Sequence, residues 1–422
     1  MKVSYKWLKE FVNFEATPRQ LADDLTDLGV VVETVGSVGA DFILDLDLTT
    51  NRPDCLSHLG VAREIATRYQ LLLAPPLTSL RESPARADSE ITVRIESPKL
   101  CSRYCARIIR GVKVTSSPDW MVQRLESVGI RSINNIVDST NYVLLELGHP
   151  LHAFDLAKIQ GNAIIIREAN MGEKLFTIDG IERELSAGML VIADQNSALA
   201  LAGVMGGLET EIGSLTRDVL LESAWFEPNS IRKTSKSLTL HTEASHRFER
   251  GADVNSTVPS IDRAAALIQQ LAGGELLSGV VDAYPVSVQR PVITLRGSRI
   301  AQVMGARVDA SFVERVLSSL NFKIVATGNQ TWQVQLPASR LDVEKEIDLI
   351  EEIARHYGYK QFPSTLPPWK GGSDRRTEKS FERVLRQRLL SLGYSETITY
   401  SFVDVAENSK FSSLEPVHLK NP

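Results

Sequence analysis

The chain has 422 residues, which at about 150 residues per domain suggests about three domains. Hydrophobic residues make up 43% and charged residues 23%, so the composition excludes a wholly disordered, collagen-like or coiled-coil chain. Lysine and arginine number 47 against 52 aspartate and glutamate residues, and the resulting net charge of −5 does not suggest a surface built throughout for nucleic acid, although a local basic face could exist.

The start of the chain and its cysteines indicate the compartment. Residues 1–8 contain no apolar signal-peptide core, and no apolar run approaches the roughly 20 residues needed to cross a bilayer. The three cysteines are Cys55, Cys101 and Cys105, an odd and sparse set that does not make a disulfide framework. Because no second Cys/His pair follows at zinc-ligand spacing, we interpret Cys101 and Cys105 as core or strand thiols. We therefore expect a cytoplasmic protein without a membrane partner.

Residues 1–85 are predicted to form a small α/β module. Thr17 and Gln20 have the spacing of a capping box, which predicts the start of a helix, and the pattern of residues 63–69 predicts a second helix. Between them, residues 44–49 alternate between leucine and polar residues, which predicts a half-buried strand.

Residues 86–287 make up the largest predicted unit. Their mixture of helical patterns and short apolar runs, separated by glycine-containing turns, predicts an α+β domain. We expect helices at residues 117–129, 138–147 and 259–271, and strands at residues 164–166, 189–193 and 219–221.

Residues 288–368 are predicted to form a small helical module, because residues 312–320 and 347–353 carry amphipathic stripes with a helical period. The fold class as a whole is therefore α+β and multidomain.

Prolines and glycines at residues 363–372 predict a linker. After it, Phe381, Leu385 and Leu389 share one face of a predicted helix, and residues 397–402 predict a strand. Only about 50 residues follow the linker, too few for a comfortable independent domain. We therefore expect residues 369–422 to be the truncated start of a longer domain.

One candidate for chemistry is His152, which follows Thr140 and Asn141 in the second unit. A neutral imidazole can orient a water or a ribose hydroxyl, and hydroxyl and amide groups can position a polar substrate. The more common alternative is a structural histidine at a turn.

A second candidate lies farther along the same unit. The segment 202–207 fits neither a phosphate loop nor a dinucleotide loop, so a tight hairpin is the better interpretation. Strand alternation places Glu222 on the same face as Leu220 and opposite Leu221, so its carboxylate could face apolar surroundings. A buried glutamate needs a partner, which a ligand hydroxyl could supply, whereas a strand-end glutamate in water is more common.

The charged segment 242–251 also leaves two interpretations open. Arg247 and Arg250 could hold nucleic-acid phosphates, although so dense a mixture of charges and hydroxyls is most often a solvated loop and helix start.

An acidic cluster lies in the third unit. Asp348 has Glu351 and Glu352 three and four residues later on a predicted helix, and Asp342 lies just ahead of it. Hard oxygen ligands without histidine or cysteine suit Mg²⁺. A solvated acidic face near a helix start explains the same pattern equally well.

Taken together, these segments resemble the beta subunit of bacterial phenylalanyl-tRNA synthetase. The resemblance covers nearly the whole chain, through sequence motifs that are too long and too consistently ordered to arise by chance. They are MKVSYKWL at 1–8, TNRPDCLSHLG at 50–60, NNIVD at 134–138, NYV at 141–143, HPLHAFD at 149–155, AGVMGG at 202–207, the segment 242–251, DLIEEIAR at 348–355 and YGY at 357–359.

The resemblance implies that residues 86–287 are a B3/B4-like editing domain, which hydrolyses tyrosine wrongly attached to phenylalanine tRNA. A phenylalanine pocket cannot strongly reject an analogue that merely adds a hydroxyl, whereas a second site that binds the hydroxyl can select that analogue. By this resemblance, His152 and Asn141 would position a water and Glu222 would bind the phenol. The implied substrate contacts are Arg131 and Thr140 near the ester and terminal adenosine, Gly203 and Gly206 for close backbone approach, and Thr242 and Ala244 around the amino acid.

The resemblance also implies partners and a metal. Residues 288–368 would be a B5-like domain with a DNA-binding-like topology. Its ligands Asp342, Asp348, Glu351 and Glu352 would hold Mg²⁺ shared with the alpha subunit. Aminoacylation would occur on the alpha subunit, so the holoenzyme uses ATP but this chain should not bind it. The full assembly would be an α2β2 heterotetramer that binds tRNA(Phe).

Two departures from the family pattern affect the prediction. Residues 38–42 pass straight to a strand where an OB-fold insert is usual, and the C-terminal half with its anticodon-binding domain is expected to be missing. Two alternatives to a ligase subunit remain, a free-standing hydrolase that edits mischarged tRNA in trans and a non-enzymatic RNA-binding or assembly module.

Overall fold

The structure is a computed structural model that describes residues 1–362, 366 and 377–419. The chain divides into two units, Met1–Pro363 and Ser364–Pro422. The first three predicted modules therefore belong to one compact unit. Apart from Leu366, the predicted linker at 363–372 lies outside the described residues, as does the predicted boundary between 368 and 369.

The first module is a three-stranded antiparallel sheet with strand order β1-β3-β2 and three helices, as its predicted α/β class requires. The Thr17 hydroxyl accepts a hydrogen bond from the Gln20 amide, so the predicted start of the helix is confirmed. Gly29, with a φ of +85°, follows its end. The elements are β1 (Lys2–Ser4), α1 (Tyr5–Phe11), α2 (Pro18–Asp27), β2 (Val31–Val38), β3 (Asp41–Asp47) and α3 (His58–Tyr69).

The helix predicted at 63–69 begins earlier than the pattern suggested. The Ser57 hydroxyl accepts a hydrogen bond from the Gly60 amide and caps the helix one turn before the amphipathic stripe becomes visible. β2 and β3 form a hairpin whose turn lies between the paired residues Val38 and Asp41. The hairpin occupies the position at which the OB-fold insert was predicted to be absent.

The second module contains a six-stranded sheet of order β4-β15-β6-β14-β7, in which β16 also pairs with β6, and a five-stranded sheet of order β13-β12-β11-β8-β5. A smaller antiparallel sheet pairs β9 with β10. Each predicted helix and strand is present. The elements are β4 (Glu82–Arg86), β5 (Thr92–Ile95), β6 (Cys101–Arg110), α4 (Asp119–Ser127), α5 (Val137–Leu147), β7 (Leu151–Asp155), β8 (Ala163–Glu168), β9 (Lys174–Phe176), β10 (Glu182–Glu184), β11 (Leu190–Ala193), β12 (Ala198–Leu201), β13 (Met205–Gly206), β14 (Val219–Phe226), α6 (Pro228–Ser237), α7 (Glu243–Phe248), α8 (Thr257–Ala272), β15 (Glu275–Ser278) and β16 (Val281–Ala283).

Strand β14 separates two hydrophobic cores. Leu221 faces one core together with helix α8. Leu220 faces the other core, which contains residues of the six-stranded and five-stranded sheets. The alternation predicted around Glu222 is therefore confirmed, and Glu222 has the orientation of Leu220. The first core is continuous with the first module, since Trp7 stacks on Tyr142 with ring centroids 4.5 Å apart.

The third module has the two predicted helices but also a three-stranded antiparallel sheet of order β17-β19-β18. The description as a helical module was therefore incomplete. Trp332 and Val334 of the central strand pack against the helices in one core, whereas β18 exposes most of its side chains and shows little apolar pattern. The elements are β17 (Val292–Arg296), α9 (Gly297–Met304), α10 (Ala310–Ser319), β18 (Lys323–Gly328), β19 (Thr331–Gln335) and α11 (Glu346–Tyr357).

The second unit contains α12 (Thr377–Ser391), which carries the predicted apolar residues, and α13 (Val405–Asn408). The predicted strand at 397–402 is wrong, since these described residues are not in a strand. Ile398 and Tyr400 are more than nine-tenths exposed, and β-prone residues form a strand only where another strand supplies hydrogen bonds. Across the described residues, no helix is both long enough and apolar enough to cross a membrane.

Candidate active site

The candidate site lies on one face of the six-stranded sheet, where three strands run side by side. Glu222 on β14 pairs in register with His152 on β7 and with Ala106 on β6. Directly opposed residues of antiparallel strands point to the same face of the sheet. The fold therefore places the two residues next to each other on the sheet, although 70 residues separate them in sequence.

Glu222 is buried, with only 5% of its surface exposed. Its carboxyl oxygen Oε2 accepts a hydrogen bond of 3.3 Å from the hydroxyl of Tyr104. Burial raises the pKa of Glu222 to about 8, and the hydrogen bond from Tyr104 only partly opposes this effect. At neutral pH Glu222 is therefore mostly a neutral carboxylic acid, which can both donate and accept a hydrogen bond.

This pKa predicts a specific pH dependence of stability. Because the folded pKa of about 8 lies above the reference value of 4.5, the contribution of Glu222 is present in full below pH 4.5 and is lost as the pH rises through 8. Across this window the loss is expected to approach about 1.4 kcal/mol per pH unit. Glu222→Gln should remove this component from urea unfolding measured between pH 5 and pH 8.

The matched control for this measurement is Glu275→Gln, which alters an exposed glutamate at the start of β15. This control should keep the pH dependence of the wild-type chain. A Glu222→Gln variant with the same pH slope as the wild type would contradict the burial of a titrating carboxyl group at this position.

His152 is also held in its neutral form. Burial lowers the pKa of its imidazole to about 4, so protonation at neutral pH is rare. The ring packs edge-on against Phe154, with centroids 4.5 Å apart. In the described part of the chain, its buried Nε2 atom has no hydrogen-bond partner. A buried nitrogen of this kind is available to a water or a substrate.

A small cavity of about 70 Å³ joins these two groups. Its wall is otherwise mostly apolar, with Ile192, Leu201 and Phe248 among the contributors. Five of the residues predicted from the sequence line it, namely His152, Gly203, Gly206, Glu222 and Ala244. An apolar cavity with two convergent polar groups is the usual form of a small-molecule site.

The two predicted glycines lie close to protein side chains, and their close approach to a substrate stays a prediction. The segment 202–207 forms the predicted hairpin, with β12 and β13 joined through Gly203 at a φ of +66°. A Cβ atom on Gly206 would lie 2.5 Å from Cε1 of His152, and one on Gly203 would lie 2.9 Å from Phe226. The glycines thus admit the imidazole and the aromatic core close to the backbone of the cavity wall.

Thr242 caps a helix next to the cavity, and its contact with the amino acid stays a prediction. Its hydroxyl donates to the carbonyl of Val204 at 2.8 Å and accepts from the amide of Ser245, capping helix α7. The residue ties the helix that carries Ala244 to the glycine hairpin, and it is not among those that line the cavity. Its effect on the cavity is therefore indirect.

Two predicted substrate contacts, Arg131 and Thr140, and the predicted water-positioning residue Asn141 are not among the residues that line the cavity. Arg131 is exposed in the connection between α4 and α5. Thr140 and Asn141 lie on helix α5, which packs beside β7, and the Thr140 hydroxyl bonds the carbonyl of Val137 in the same helix. Their contacts with an ester or adenosine stay predictions, as does the water-positioning part assigned to Asn141.

The two arginines of the charged segment are engaged within the protein. The buried Arg247 donates to the carbonyl of Leu56 at 3.1 Å and pairs with Glu243 at 2.7 Å. Arg250 binds the carbonyl of His246 and the carboxylate of Glu249. The phosphate interpretation therefore loses its support, because both guanidinium groups already bind protein oxygens.

The acidic cluster does not fit a magnesium site in this chain by itself. Both carboxylate oxygens of Asp342 and both of Glu352 accept hydrogen bonds from Arg340. Asp348 accepts from two backbone amides at the start of α11, and Glu351 is exposed although its neighbour Glu352 is buried. The expected shared face is thus absent, and Mg²⁺ shared with an alpha subunit stays a prediction.

The sequence reasoning missed a buried ion-pair network between the first and third modules. Glu64 on α3 pairs with Arg52 and with Arg355 of α11, and Arg355 also pairs with Glu352. Among the described residues, Asp54, Cys55 and Glu64 are the group with metal-ligand geometry, but Arg52 already bonds all three. The signal was present in the charged residues of α3, which are unusual on a buried helix.

Comparison with known proteins gives matches along most of the chain. The family models that match are the B3/4 domain at residues 100–273, the tRNA synthetase B5 domain at residues 293–359 and the phenylalanyl tRNA synthetase beta chain CLM domain at residues 362–422. A chain with these three domains in this order belongs to the class of tRNA synthetase beta chains.

Curated relatives give the particular family. The phenylalanine–tRNA ligase beta subunits of Geobacter metallireducens and Geobacter sulfurreducens are 44% and 45% identical over 380 residues, covering 90% of this chain and 47% of each relative. That of Rhodopirellula baltica is 41% identical over 404 residues, covering 96% of this chain and 59% of the relative. The chain belongs to the phenylalanine–tRNA ligase beta subunit family, and it spans about half the length of the curated relatives it matches.

Proposed function

We propose that this chain supplies the tRNA-editing site of a phenylalanine–tRNA ligase. The site would hydrolyse the ester of tyrosine wrongly attached to tRNA(Phe). The observation that carries this proposal is the buried carboxyl group of Glu222 at the end of a largely apolar cavity. A phenol hydroxyl can bond the carboxyl oxygen that Tyr104 leaves free, whereas a phenylalanine ring would leave that oxygen without a partner.

In the proposed reaction, a water bonded to Nε2 of His152 attacks the ester carbonyl, and the neutral imidazole can accept the proton that the water loses. The bond between the carbonyl carbon and the ribose oxygen breaks. The products are free tyrosine and a tRNA with its terminal hydroxyl restored. Glu222 does not react in this scheme, because it binds the phenol at the far end of the amino acid.

The wider role follows from the family. The ligase would attach phenylalanine to tRNA(Phe) with ATP bound and used on an alpha subunit, and this chain would assemble with that subunit in an α2β2 heterotetramer. Such an enzyme works where tRNA is charged, and the three free, buried cysteines fit the reducing cytoplasm.

The test is deacylation of Tyr-tRNA(Phe) by the purified chain, alone and mixed with an alpha subunit, with Phe-tRNA(Phe) as the paired substrate. Selective hydrolysis of the tyrosyl ester that requires the alpha subunit would support the ligase role. Selective hydrolysis by the chain alone would favour the trans-editing alternative. Absence of hydrolysis in both mixtures would overturn the editing function and favour an RNA-binding or assembly module.

A further inference from the structure

The hydroxyl of Tyr104 meets Glu222 because of the register of two strands. On β6 and β14, Tyr104 pairs with Ala224, and Ala106 pairs with Glu222. All four side chains therefore point to one face of the sheet. The two alanines are small, so the long side chains of Tyr104 and Glu222 can meet diagonally, with the hydroxyl 3.3 Å from Oε2.

Both partners of this bond are buried. Tyr104 is 0% exposed and packs in the second hydrophobic core. Within the described part of the chain, this contact is the one side-chain hydrogen bond that either Tyr104 or Glu222 makes. A polar group in such surroundings is costly without a partner, so the bond limits the orientations open to the carboxyl group.

We propose that Tyr104 is a positioning residue that determines selectivity for phenolic amino acids by holding one oxygen of Glu222, so that the other oxygen is kept for the substrate hydroxyl. This inference rests on the proposed editing function of the same cavity. Glu222 then bridges two phenols, one from the protein and one from the substrate. Tyr104 touches neither the ester nor the water, so its effect is on binding of the ring.

The test is Tyr104→Phe in the full chain, assayed with Tyr-tRNA(Phe) and Phe-tRNA(Phe) under the conditions in which the wild type is active. Loss of one hydrogen bond to the carboxyl group should raise the KM for the tyrosyl substrate about tenfold. The kcat for that substrate and both constants for the phenylalanyl substrate should stay close to wild type, because the water and His152 are unchanged.

The matched control is Tyr142→Phe. Tyr142 is also buried, and its hydroxyl accepts a hydrogen bond of 2.7 Å from Arg124, but it lies in the first core and is not among the residues lining the cavity. This control should leave the selectivity between the two esters unchanged. A merely structural effect of Tyr104 would instead lower kcat for both esters.

A second readout uses the titration of Glu222. The titratable groups near it are Tyr104 and Cys101 from β6 and His152 from β7. Since the hydrogen bond from Tyr104 lowers the pKa of Glu222, its loss should move the carboxyl titration to higher pH. The infrared difference spectrum of wild type minus the Glu222→Gln variant isolates the C=O band of the protonated Glu222 carboxyl group. In the wild type this band should have the frequency of a hydrogen-bonded carboxylic acid.

The outcomes separate the two proposals. A wild-type chain that hydrolyses neither ester, with and without the alpha subunit, overturns the editing function and this inference with it. Editing that depends on Glu222 but is unaffected by Tyr104→Phe overturns this inference alone. If Tyr104→Phe does not fold, the infrared band of the wild type decides, and the frequency of a free carboxylic acid there would overturn the inference.

Discussion

Replacing Glu222 by alanine is expected to lower the rate of tyrosyl-ester hydrolysis by about tenfold to a hundredfold. The substrate hydroxyl would enter a cavity whose nearby walls are mostly apolar, and a buried hydroxyl without a partner loses the free energy of its hydrogen bond with water. Hydrolysis of the phenylalanyl ester should rise, because the variant no longer buries a carboxyl group with one oxygen that this substrate leaves without a partner.

The measurement is the rate of deacylation of both esters under single-turnover conditions. Glu275→Ala serves as the control, since it removes an exposed glutamate from the same sheet and should leave both rates unchanged. The assignment of Glu222 as the phenol-binding group would be wrong if Glu222→Ala and wild type deacylated Tyr-tRNA(Phe) at the same rate and both left Phe-tRNA(Phe) intact.

The second large effect is expected from Arg355→Met. This substitution should lower the free energy of unfolding of the chain by about 3–5 kcal/mol, the usual cost of breaking a buried ion pair from one side. Methionine fills similar space, so the loss would come from the charges of Glu64 and Glu352 that stay buried. Arg355 also donates to the carbonyl of Leu28 at 2.7 Å, which places this residue between the first and third modules.

Urea unfolding followed by tryptophan fluorescence measures this change. The control is Arg296→Met, whose pair with Glu346 leaves the arginine side chain 56% exposed, so its loss should change the free energy of unfolding far less. Equal, small losses for Arg355→Met and Arg296→Met would show that the buried network does not hold the two modules together.

The sequence was informative where the pattern was local. Alternation around Leu220 and Leu221 correctly predicted the face that Glu222 occupies, and Gly148 and Gly129 correctly marked the ends of two helices. The cavity could be predicted in part because the resemblance named His152 and Glu222, and strand register then brings them together. Local periodicity is sufficient for such features, since burial on one side determines it.

Long-range contacts could not be predicted from pattern alone. The bond from Tyr104 to Glu222 depends on which strands become neighbours, and the sequence of β6 carries no sign of this partner. The pairing of Glu64 with Arg355 spans 291 residues, so local spacing carries no trace of it. For the same reason the sequence could not show that Arg340 and Arg355 bind the oxygens of Glu352, whose part in a metal site stays a prediction.

The shared packing of Trp7 and Tyr142 affects any attempt to produce the second module on its own. The predicted boundary between residues 85 and 86 suggests a place to divide the chain. Removal of the first module would, however, expose the apolar side chains of α5 and α8 to water. Recombinant fragments that begin there should precipitate, whereas those that keep the opening residues should stay dispersed. The first and second modules therefore form one folding unit, and a gene fusion would have to keep them together.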